Sequence, residues 1–357
     1  MTDDGLLPAK DLGETPNLSS EADDYDSLPE TLYELCSVNV RGWDNDDEEE
    51  ARSFAGSVMG LAKTFSRYLD LSNLQSIVIG YDYREALASV TGADPKKNAP
   101  TTNEYGEGAA MAMTVMRDDE PWKVVVMWTP LVRQIVDEGH EHHKLALHTF
   151  WHELVHVDDT RVFATTFPGG WRAAFGRDEL ENRLLEMVNP CQSEYSAARK
   201  SAFWVPDYGS NYLDMLESAL KDVDSQIRRA RIAYRMHGDM DVLWPIVTER
   251  VRFLFQALGY ALGHVDGVAA SSNPNEELLA RFEAHLDKIG ELPSGWIVKE
   301  ARAASRKLFD THPWPGIEVF SDLNEIALKL IQQFRLYPRN QGEGLYIDAP
   351  YTSILDL

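Results

Sequence analysis

Cysteine, basic residues and long apolar runs are all scarce in this chain of 357 residues. The two cysteines, Cys36 and Cys191, are too few for a disulfide framework or for a cysteine-rich zinc site. No segment reaches the roughly 18 consecutive apolar residues that a membrane-spanning helix requires. The first residues also lack the basic start and apolar run of a secretory signal. These absences exclude a disulfide-stabilised secreted protein and a membrane protein, and we expect a cytoplasmic location.

Positive charge is in short supply, because 34 Lys and Arg stand against 58 Asp and Glu, a formal net charge of -24. A field of this sign repels nucleic acids and anionic membrane surfaces, so we expect neither as a partner. The acidity is greatest in residues 1–50, which hold 16 Asp and Glu against Lys10 and Arg41. This composition predicts a flexible acidic leader over 1–50. An alternative is an arm that binds a regulatory protein partner or covers the active site.

Apolar residues make up 44% of the chain, enough for a substantial core, and their pattern divides it into two parts. The predicted elements of the first part are a helix at 51–70, strands at 76–81, 110–116 and 122–128, and helices at 130–137 and 144–158. From about residue 176 the pattern predicts only helices, one of them beginning at Asn189-Pro190. The sequence therefore predicts an α+β fold, with a small sheet and helices over 51–205 followed by a mainly helical domain over 206–357.

The most informative segment is the pentapeptide 152–156, His-Glu-Leu-Val-His, within the predicted helix at 144–158. Residues four apart share one face of a helix, so His152 and His156 can present imidazole nitrogens to a single zinc ion. Glu153 follows the first histidine, where it can act as general base toward a water molecule at the metal. The pattern therefore predicts a catalytic zinc site with His152 and His156 as ligands.

With this motif the chain resembles the zincin metallopeptidases, whose shared core is a small sheet followed by the motif-bearing helix. The predicted order of helix, strands, hairpin and motif helix over residues 51–205 is similar to that core. The resemblance implies a zincin-like fold, a bound Zn²⁺ ion as cofactor and hydrolysis of peptide bonds.

The third metal ligand distinguishes the zincin subgroups. Asp159 and Val162 stand where the metzincins have glycine and histidine or aspartate, which argues against that subgroup. Glu194 lies in a later predicted helix, and its spacing from Ala197 is similar to that in several glutamate-zincins. Small residues on the same face would let that helix approach the motif helix, so we predict Glu194 as the third ligand. The carboxylates left open as rivals are Glu179, Glu181, Glu186 and Asp159.

Other histidines and tyrosines are candidates for stabilising the oxyanion of the reaction, and the sequence does not rank them. His148 lies one turn before His152 on the ligand face, which would place it beside the ligands. The remaining candidates are His237, His264, His285, His312, Tyr195, Tyr208 and Tyr212. His140, His142 and His143 are expected to form a solvated cluster.

The residue types predict an intracellular zinc-dependent peptidase in which Glu153 accepts the proton of the attacking water. The substrate would be a protein or peptide bound in extended form along the edge strand of the sheet. The helical domain would supply the far wall of the cleft or a surface for a regulatory partner. One alternative is a non-catalytic binding or regulatory module on a zincin scaffold, which would not require Glu153. The other is a metal-dependent hydrolase of a non-peptide substrate.

Overall fold

The computed structural model of the chain describes residues 28–43, 48–93, 102–103, 106–166, 175–311, 314–342 and 344–350. It has a mixed α+β fold with a small sheet and a predominantly helical second half, which confirms the α+β class predicted from the sequence. Residues 1–27, which form most of the predicted acidic leader, lie outside these ranges. Within the described ranges, no helix is both long enough and apolar enough to cross a lipid bilayer.

The main sheet has four strands in the order β1 (Ser37–Arg41), β2 (Leu74–Gly80), β6 (Glu120–Trp128) and β5 (Ala110–Arg117). The strands of the described chain are β1 Ser37–Arg41, β2 Leu74–Gly80, β3 Thr102–Asn103, β4 Gly106–Glu107, β5 Ala110–Arg117, β6 Glu120–Trp128, β7 Tyr337–Gln341 and β8 Gly344–Asp348. Strands β1, β2 and β6 run parallel, with Val38 opposite Ile77 and Ile77 opposite Val125. Strand β5 is antiparallel to β6 and ends the sheet on one side. Strand β5 is therefore one of the two edge strands of this sheet, and it precedes the motif helix in the chain.

The predicted hairpin is present as β5 and β6, with a turn tighter than the predicted 117–121. Arg117 pairs with Glu120, so only Asp118 and Asp119 form the turn, with φ of 50° and 67°. Two successive residues with positive φ form the turn type whose twist matches that of the flanking strands. Aspartate tolerates this conformation better than most residues, which explains how a turn without glycine forms here.

Residues 28–43, within the stretch predicted as leader, belong to the fold. Strand β1 pairs with β2 over its whole length. Before it, the Thr31 hydroxyl oxygen lies 2.6 Å from the carbonyl oxygens of both Ser66 and Leu69, which share its one hydrogen. The ordered structure therefore begins well before residue 51, where the sequence pattern places the first helix.

The helices account for most of the described residues. They are α1 Glu48–Phe65, α2 Tyr83–Ala88, α3 Thr129–Val136, α4 His143–Thr166, α5 Glu179–Ser201, α6 Gly209–His237, α7 Met240–Ala269, α8 Glu276–Gly290, α9 Trp296–Asp310 and α10 Ser321–Gln333. The motif helix α4 continues eight residues beyond its predicted end at 158. Helix α6 ends at Gly238, which has the left-handed conformation, with φ of 68°, that is common after the last residue of a helix.

The predicted helix start at Asn189-Pro190 is wrong. Helix α5 begins at Glu179, where the Asp178 side chain accepts a hydrogen bond from the Glu181 amide, and Pro190 lies inside the helix. An internal proline removes one backbone hydrogen bond and costs about 3 kcal/mol. Burial of Met187, Val188 and other apolar side chains of this helix offsets that cost. Tertiary packing thus overrides the local signal.

The expectation of helices alone after residue 176 is also wrong. Strands β7 and β8 form an antiparallel hairpin near the end of the described chain. The chain turns at Gly342, with φ of 62°, a conformation that glycine adopts without strain. Seven of the ten residues on these short strands are exposed, so their sequence carries only a weak alternation of apolar residues.

Two large apolar cores meet at the motif helix. The first lies between one face of the sheet and helices α1, α3 and α4, and includes Ile77, Val125, Phe150 and Leu154, all fully buried. The second is formed by helices α5 to α10. Helix α5, although it precedes the predicted boundary at residue 205, contributes its core side chains to this helical cluster. The predicted division at 205 stays a prediction.

Candidate metal centre

Helix α4 holds the two motif histidines in the geometry that the sequence predicts. Its Phe150 and Leu154 side chains are fully buried against the sheet, each contributing about 1.5–3 kcal/mol through burial. This anchorage directs His152 and His156 toward helix α5. Their ring centroids are 4.9 Å apart and the rings are nearly perpendicular, at 85°. One turn of a buried helix therefore presents both imidazoles to the same point.

Glu194 from helix α5 meets the two histidines. Its Oε2 atom lies 3.1 Å from His152 Nε2 and 3.4 Å from His156 Nε2. The three ligand atoms all lie within 4.8 Å of one another. Glu194 is 9% exposed and His152 is 5% exposed, so bulk water has little access to the group. The structure thus brings together the three residues that the sequence predicts as metal ligands.

The two distances from Glu194 Oε2 to the histidine nitrogens match the spacing of ligand atoms in a tetrahedral metal site. A metal with bonds of about 2.0–2.1 Å to nitrogen and oxygen separates neighbouring ligand atoms by about 3.3 Å. The distances from Glu194 Oε2 to the two histidine nitrogens bracket this value. His156 Nδ1 lies 3.0 Å from the Ser193 hydroxyl, and donation to that oxygen leaves Nε2 free to bind a metal. Two imidazoles and one carboxylate can therefore hold a divalent ion here.

His156 and Glu194 each shift the pKa of the other toward the charged form. Burial lowers the pKa of His156, but the charge of Glu194 and its hydrogen bond outweigh burial and leave that pKa raised. Burial raises the pKa of Glu194, but the charge of His156 and hydrogen bonds from both histidines hold it well below its ordinary value. The carboxylate is therefore ionised at neutral pH, which is the form that binds a cation.

Glu153, the predicted base, is 9% exposed and lies beside this group. Its negative charge raises the pKa of His156, after burial and Glu194, and it also contributes to the raised pKa values of Tyr212 and Tyr260, which burial dominates. In the described part of the chain its carboxylate makes no hydrogen bond. Glu153 is therefore near the three clustered residues without being one of them.

The rival carboxylates have other partners. Glu179 and Glu186 both pair with Arg183, at 2.8 Å and 3.1 Å, on the outer part of helix α5. Glu181 pairs with Arg177 in the same region. Asp159 accepts from Ser196 and Lys200, at 3.0 Å and 3.2 Å, and so helps to join α4 to α5. None of these four carboxylates belongs to the three-residue group around His152.

His148 lies near the centre but is committed to other contacts. Its Nδ1 donates to the Ser201 carbonyl oxygen at 3.0 Å, and its Nε2 accepts from the Tyr212 hydroxyl at 3.2 Å. Burial lowers the pKa of His148 to about 3, so the ring is neutral. His264 packs 5.9 Å from it, also neutral and buried, with Nε2 donating to the Pro206 carbonyl oxygen. These two neutral rings therefore belong to the packing around the centre.

The other histidines and tyrosines named as candidates lie in different parts of the molecule. Tyr208 and Tyr212 belong to the aromatic group around His148, with ring centroids 5.0 Å apart. Tyr195 points away and donates to Asp266 in the helical core. His285 pairs with Glu217 on the surface of the helical half. His140, His142 and His143 lie at or near the surface, His237 is exposed, and His312 lies outside the described residues.

Two residues of helix α7, Tyr260 and Gln256, also contact the cluster, and neither was predicted from the sequence. The Tyr260 ring stacks on His152, with centroids 5.6 Å apart and planes 20° apart. Gln256 Nε2 donates to Glu194 Oε1 at 3.1 Å. A signal was present in the sequence, because Gly259, Gly263 and Gly267 recur every four residues. Such a row lets a second helix approach closely, and α5 does so.

A cavity of about 820 Å³ lies elsewhere, near the carboxyl ends of the parallel strands. Its lining includes Trp43, Tyr81 and Arg133, and the Arg133 guanidinium lies over the Trp43 ring at 5.0 Å. None of the three clustered residues lines this cavity.

Comparisons with protein-family models, curated proteins and solved structures found no match to this chain. The chemistry that the centre can perform therefore follows from the residues it holds.

Proposed function

We propose that this protein is a zinc-dependent peptidase with its active site at His152, His156, Glu194 and Glu153. The observation that carries the proposal is the position of Glu194 Oε2, 3.1 Å and 3.4 Å from the Nε2 atoms of two histidines one helical turn apart. Two imidazoles and one carboxylate, with a further carboxylate alongside, are the residue types of catalytic zinc sites in metallopeptidases. Such a site keeps one coordination position for water or substrate.

Zinc held by these three residues would lower the pKa of a coordinated water to about 7 and polarise the scissile carbonyl group. Glu153 would accept a proton from the attacking water and pass it to the nitrogen of the leaving amine. Tyr260 of helix α7 stacks on His152. The charge of Glu153 also contributes to the raised pKa of Tyr260, after burial and Glu194, so Glu153 lies near this tyrosine. The low exposure of the carboxylates strengthens the electrostatic interactions among them.

The proposal includes a zincin-like core, in which a peptide binds along β5. Ala109 accepts from the Trp128 amide, so alternation along the ladder directs the backbone groups of Ala110 and Ala112 away from β6. Further along β5, Gly92 and Ala93 already pair with this edge at Met116 and Val115. The Lys123 ammonium group contacts the Ala112 carbonyl oxygen, and its charge also acts on His156, where burial and Glu194 are the larger effects. This edge of the sheet therefore lies close to the centre, and an extended peptide could add to it.

Metal analysis is the first test. Protein purified without a metal-affinity tag should contain about one zinc ion per chain, or take up one ion after dialysis against zinc. Protein that holds no metal and binds no added zinc would overturn the proposal. The measurement needs no knowledge of the substrate.

Replacement of the base is the second test. Glu153→Gln should lower peptide hydrolysis by roughly 10²- to 10⁴-fold, because the amide cannot accept the proton, with zinc content unchanged. Glu138→Gln, at an exposed residue, is the matched control and should keep wild-type activity. Substrates are found by mass spectrometry of peptides released from a proteome by wild type and not by Glu153→Gln.

The outcomes separate the proposal from its alternatives. Hydrolysis by Glu153→Gln at the wild-type rate would show that this centre is not the active site. Zinc-loaded wild type that releases no new peptide ends would leave either a non-catalytic module or a hydrolase of another bond, and would contradict a peptidase.

A further inference from the structure

Helix α7 contacts the centre through the oxygen of Glu194 that the histidines do not use. Glu194 Oε2 faces His152 and His156, whereas Oε1 accepts from Gln256 Nε2 at 3.1 Å. A carboxylate can only accept hydrogen bonds, so the end of the Gln256 amide that meets it must be the amino group. The two oxygens of one carboxylate are thus divided between two helices.

The backbone of α7 comes very close to Glu194 at this point. A Cβ atom added at Gly259 would lie 2.9 Å from Glu194 Cβ and 2.6 Å from the Cys191 carbonyl oxygen. Gln256 precedes this glycine by three residues and therefore lies on the same face of the helix. The close approach holds the Gln256 side chain at a constant distance from the carboxylate.

Burial makes this hydrogen bond difficult to replace. Glu194 is 9% exposed, so water has little room to satisfy Oε1 if the amide is removed. Tyr260 of the same helix also hydrogen-bonds Glu194, but loss of the Gln256 amide would leave the carboxylate freer to rotate about its last side-chain bond, which is a soft torsion. Rotation would carry Oε2 away from the point that His152 and His156 share.

From this geometry we infer that Gln256 is a positioning residue, which holds Glu194 so that Oε2 is directed at the metal. The inference rests on the proposed function, since it concerns a ligand of the proposed zinc ion. Gln256 binds no metal and contacts no reacting atom; it acts through Glu194. Partners of this kind orient metal ligands, and their replacement typically lowers metal affinity roughly 10- to 100-fold.

The test compares zinc affinity in Gln256→Met, Gln256→Asn and wild type by competition with a chromogenic chelator. Methionine has a similar length without a donor, and asparagine keeps the amide but is too short to reach Oε1. Both variants should bind zinc roughly 10- to 100-fold more weakly than wild type. Gln332→Met, at an exposed residue of α10, is the control and should bind zinc as wild type does.

Two further readouts separate positioning from a structural role. The melting temperature of the metal-free variants should differ little from that of metal-free wild type, since Gln256 is partly exposed and the main cores are unchanged. With a substrate in hand, kcat at saturating zinc should fall while KM changes little, because the altered group holds the metal and not the substrate.

Each failure has a distinct meaning. Unchanged zinc affinity in a folded Gln256 variant would overturn the inference and leave the proposed function intact. Wild-type protein that binds no zinc would overturn the proposed function and, with it, the inference. If Gln256→Met does not fold, the Gln256→Asn variant decides, because it introduces no apolar group.

Discussion

At the scale of single residues, the centre depends on which carboxylates already have partners. Glu179 and Glu186 pair with Arg183, and Asp159 pairs with Lys200. Glu194 has no arginine or lysine beside it within the described chain, and it meets two histidines instead. The ionised form of this buried carboxylate is stabilised by the charge of His156 and by hydrogen bonds from both histidines, and the proposed metal ion would take over that role.

Removal of this carboxylate gives a direct prediction. Glu194→Ala should weaken zinc binding by more than the roughly 10- to 100-fold loss typical of an outer-shell partner, because a ligand itself is lost. Glu186→Ala, on the same helix, is the control and should keep wild-type affinity. Competition against a chelator measures both, and equal affinities in the two variants would place the third ligand elsewhere.

At the scale of secondary structure, helix α7 is shaped to lie against α5. A Cβ atom added at Gly263 would lie 2.3 Å from the Tyr195 carbonyl oxygen, and one added at Gly267 would lie 2.3 Å from the Arg199 carbonyl oxygen. Glycine is unfavourable inside a helix by about 1 kcal/mol relative to alanine. The close packing that the row of glycines permits offsets this cost and holds Glu194 next to Gln256.

Substitution in this row should therefore be destabilising. Gly263→Ala places a methyl group against backbone atoms that cannot move aside, and should lower the free energy of unfolding by about 3 kcal/mol. Gly56→Ala in α1 is the matched control, because nothing lies within 4 Å of the added Cβ. It should raise the free energy of unfolding by about 0.5–1 kcal/mol.

Urea unfolding of the metal-free proteins measures both changes. A Gly263→Ala variant as stable as wild type would mean that α5 and α7 are not packed as closely as the structure shows. Zinc affinity should also fall in this variant, since any separation of the helices draws Gln256 away from Glu194.

At the scale of the whole molecule, the centre lies where the two apolar cores meet. His152 and His156 are carried by a helix packed on the sheet, whereas Glu194 and Gln256 come from helices of the second core. The Lys200 ammonium group joins the two sides by donating to Asp158 and Asp159 at 2.9 Å and 3.2 Å. Separation of the two cores would therefore dismantle the centre without unfolding either helix.

The buried histidines of this region predict how stability depends on pH. Burial lowers the pKa of His264 from its ordinary 6.5 to about 4, and its exposed fraction is 0%. Between these pH values the unfolded chain binds a proton at this residue and the folded protein does not. Stability contributed by the neutral ring is therefore complete above pH 6.5 and is lost as the pH falls toward 4.

Substitution of His264 should reduce this dependence. His264→Gln keeps a donor for the Pro206 carbonyl oxygen and removes the titrating group. The free energy of unfolding of wild type should fall more steeply between pH 6.5 and 4 than that of the variant, by about 1.4 kcal/mol per pH unit. Urea titrations with a chelator present, so that metal release adds nothing, measure the slopes. Parallel slopes would contradict a neutral His264.

Local sequence determined those features that depend on neighbours within a few turns of chain. A spacing of four residues is sufficient to put His152 and His156 on one face of a helix, because helical geometry alone decides it. The hairpin of β5 and β6 follows from two apolar runs around a polar turn, and Gly238 ends α6 through its own backbone freedom. The α+β class follows from the same local periodicities.

Tertiary structure alone decided what lies far apart in the chain. Glu194 reaches His152 across 42 residues, and Gln256 reaches Glu194 across 62. Several carboxylates had suitable chemistry, and only the packing of α5 against α4 and α7 determined which one faces the histidines. Packing also carried α5 through Pro190, since apolar burial outweighed a local helix break. Interactions of this kind depend on the mutual placement of distant surfaces, and the periodicity of any single segment contains no information about that placement.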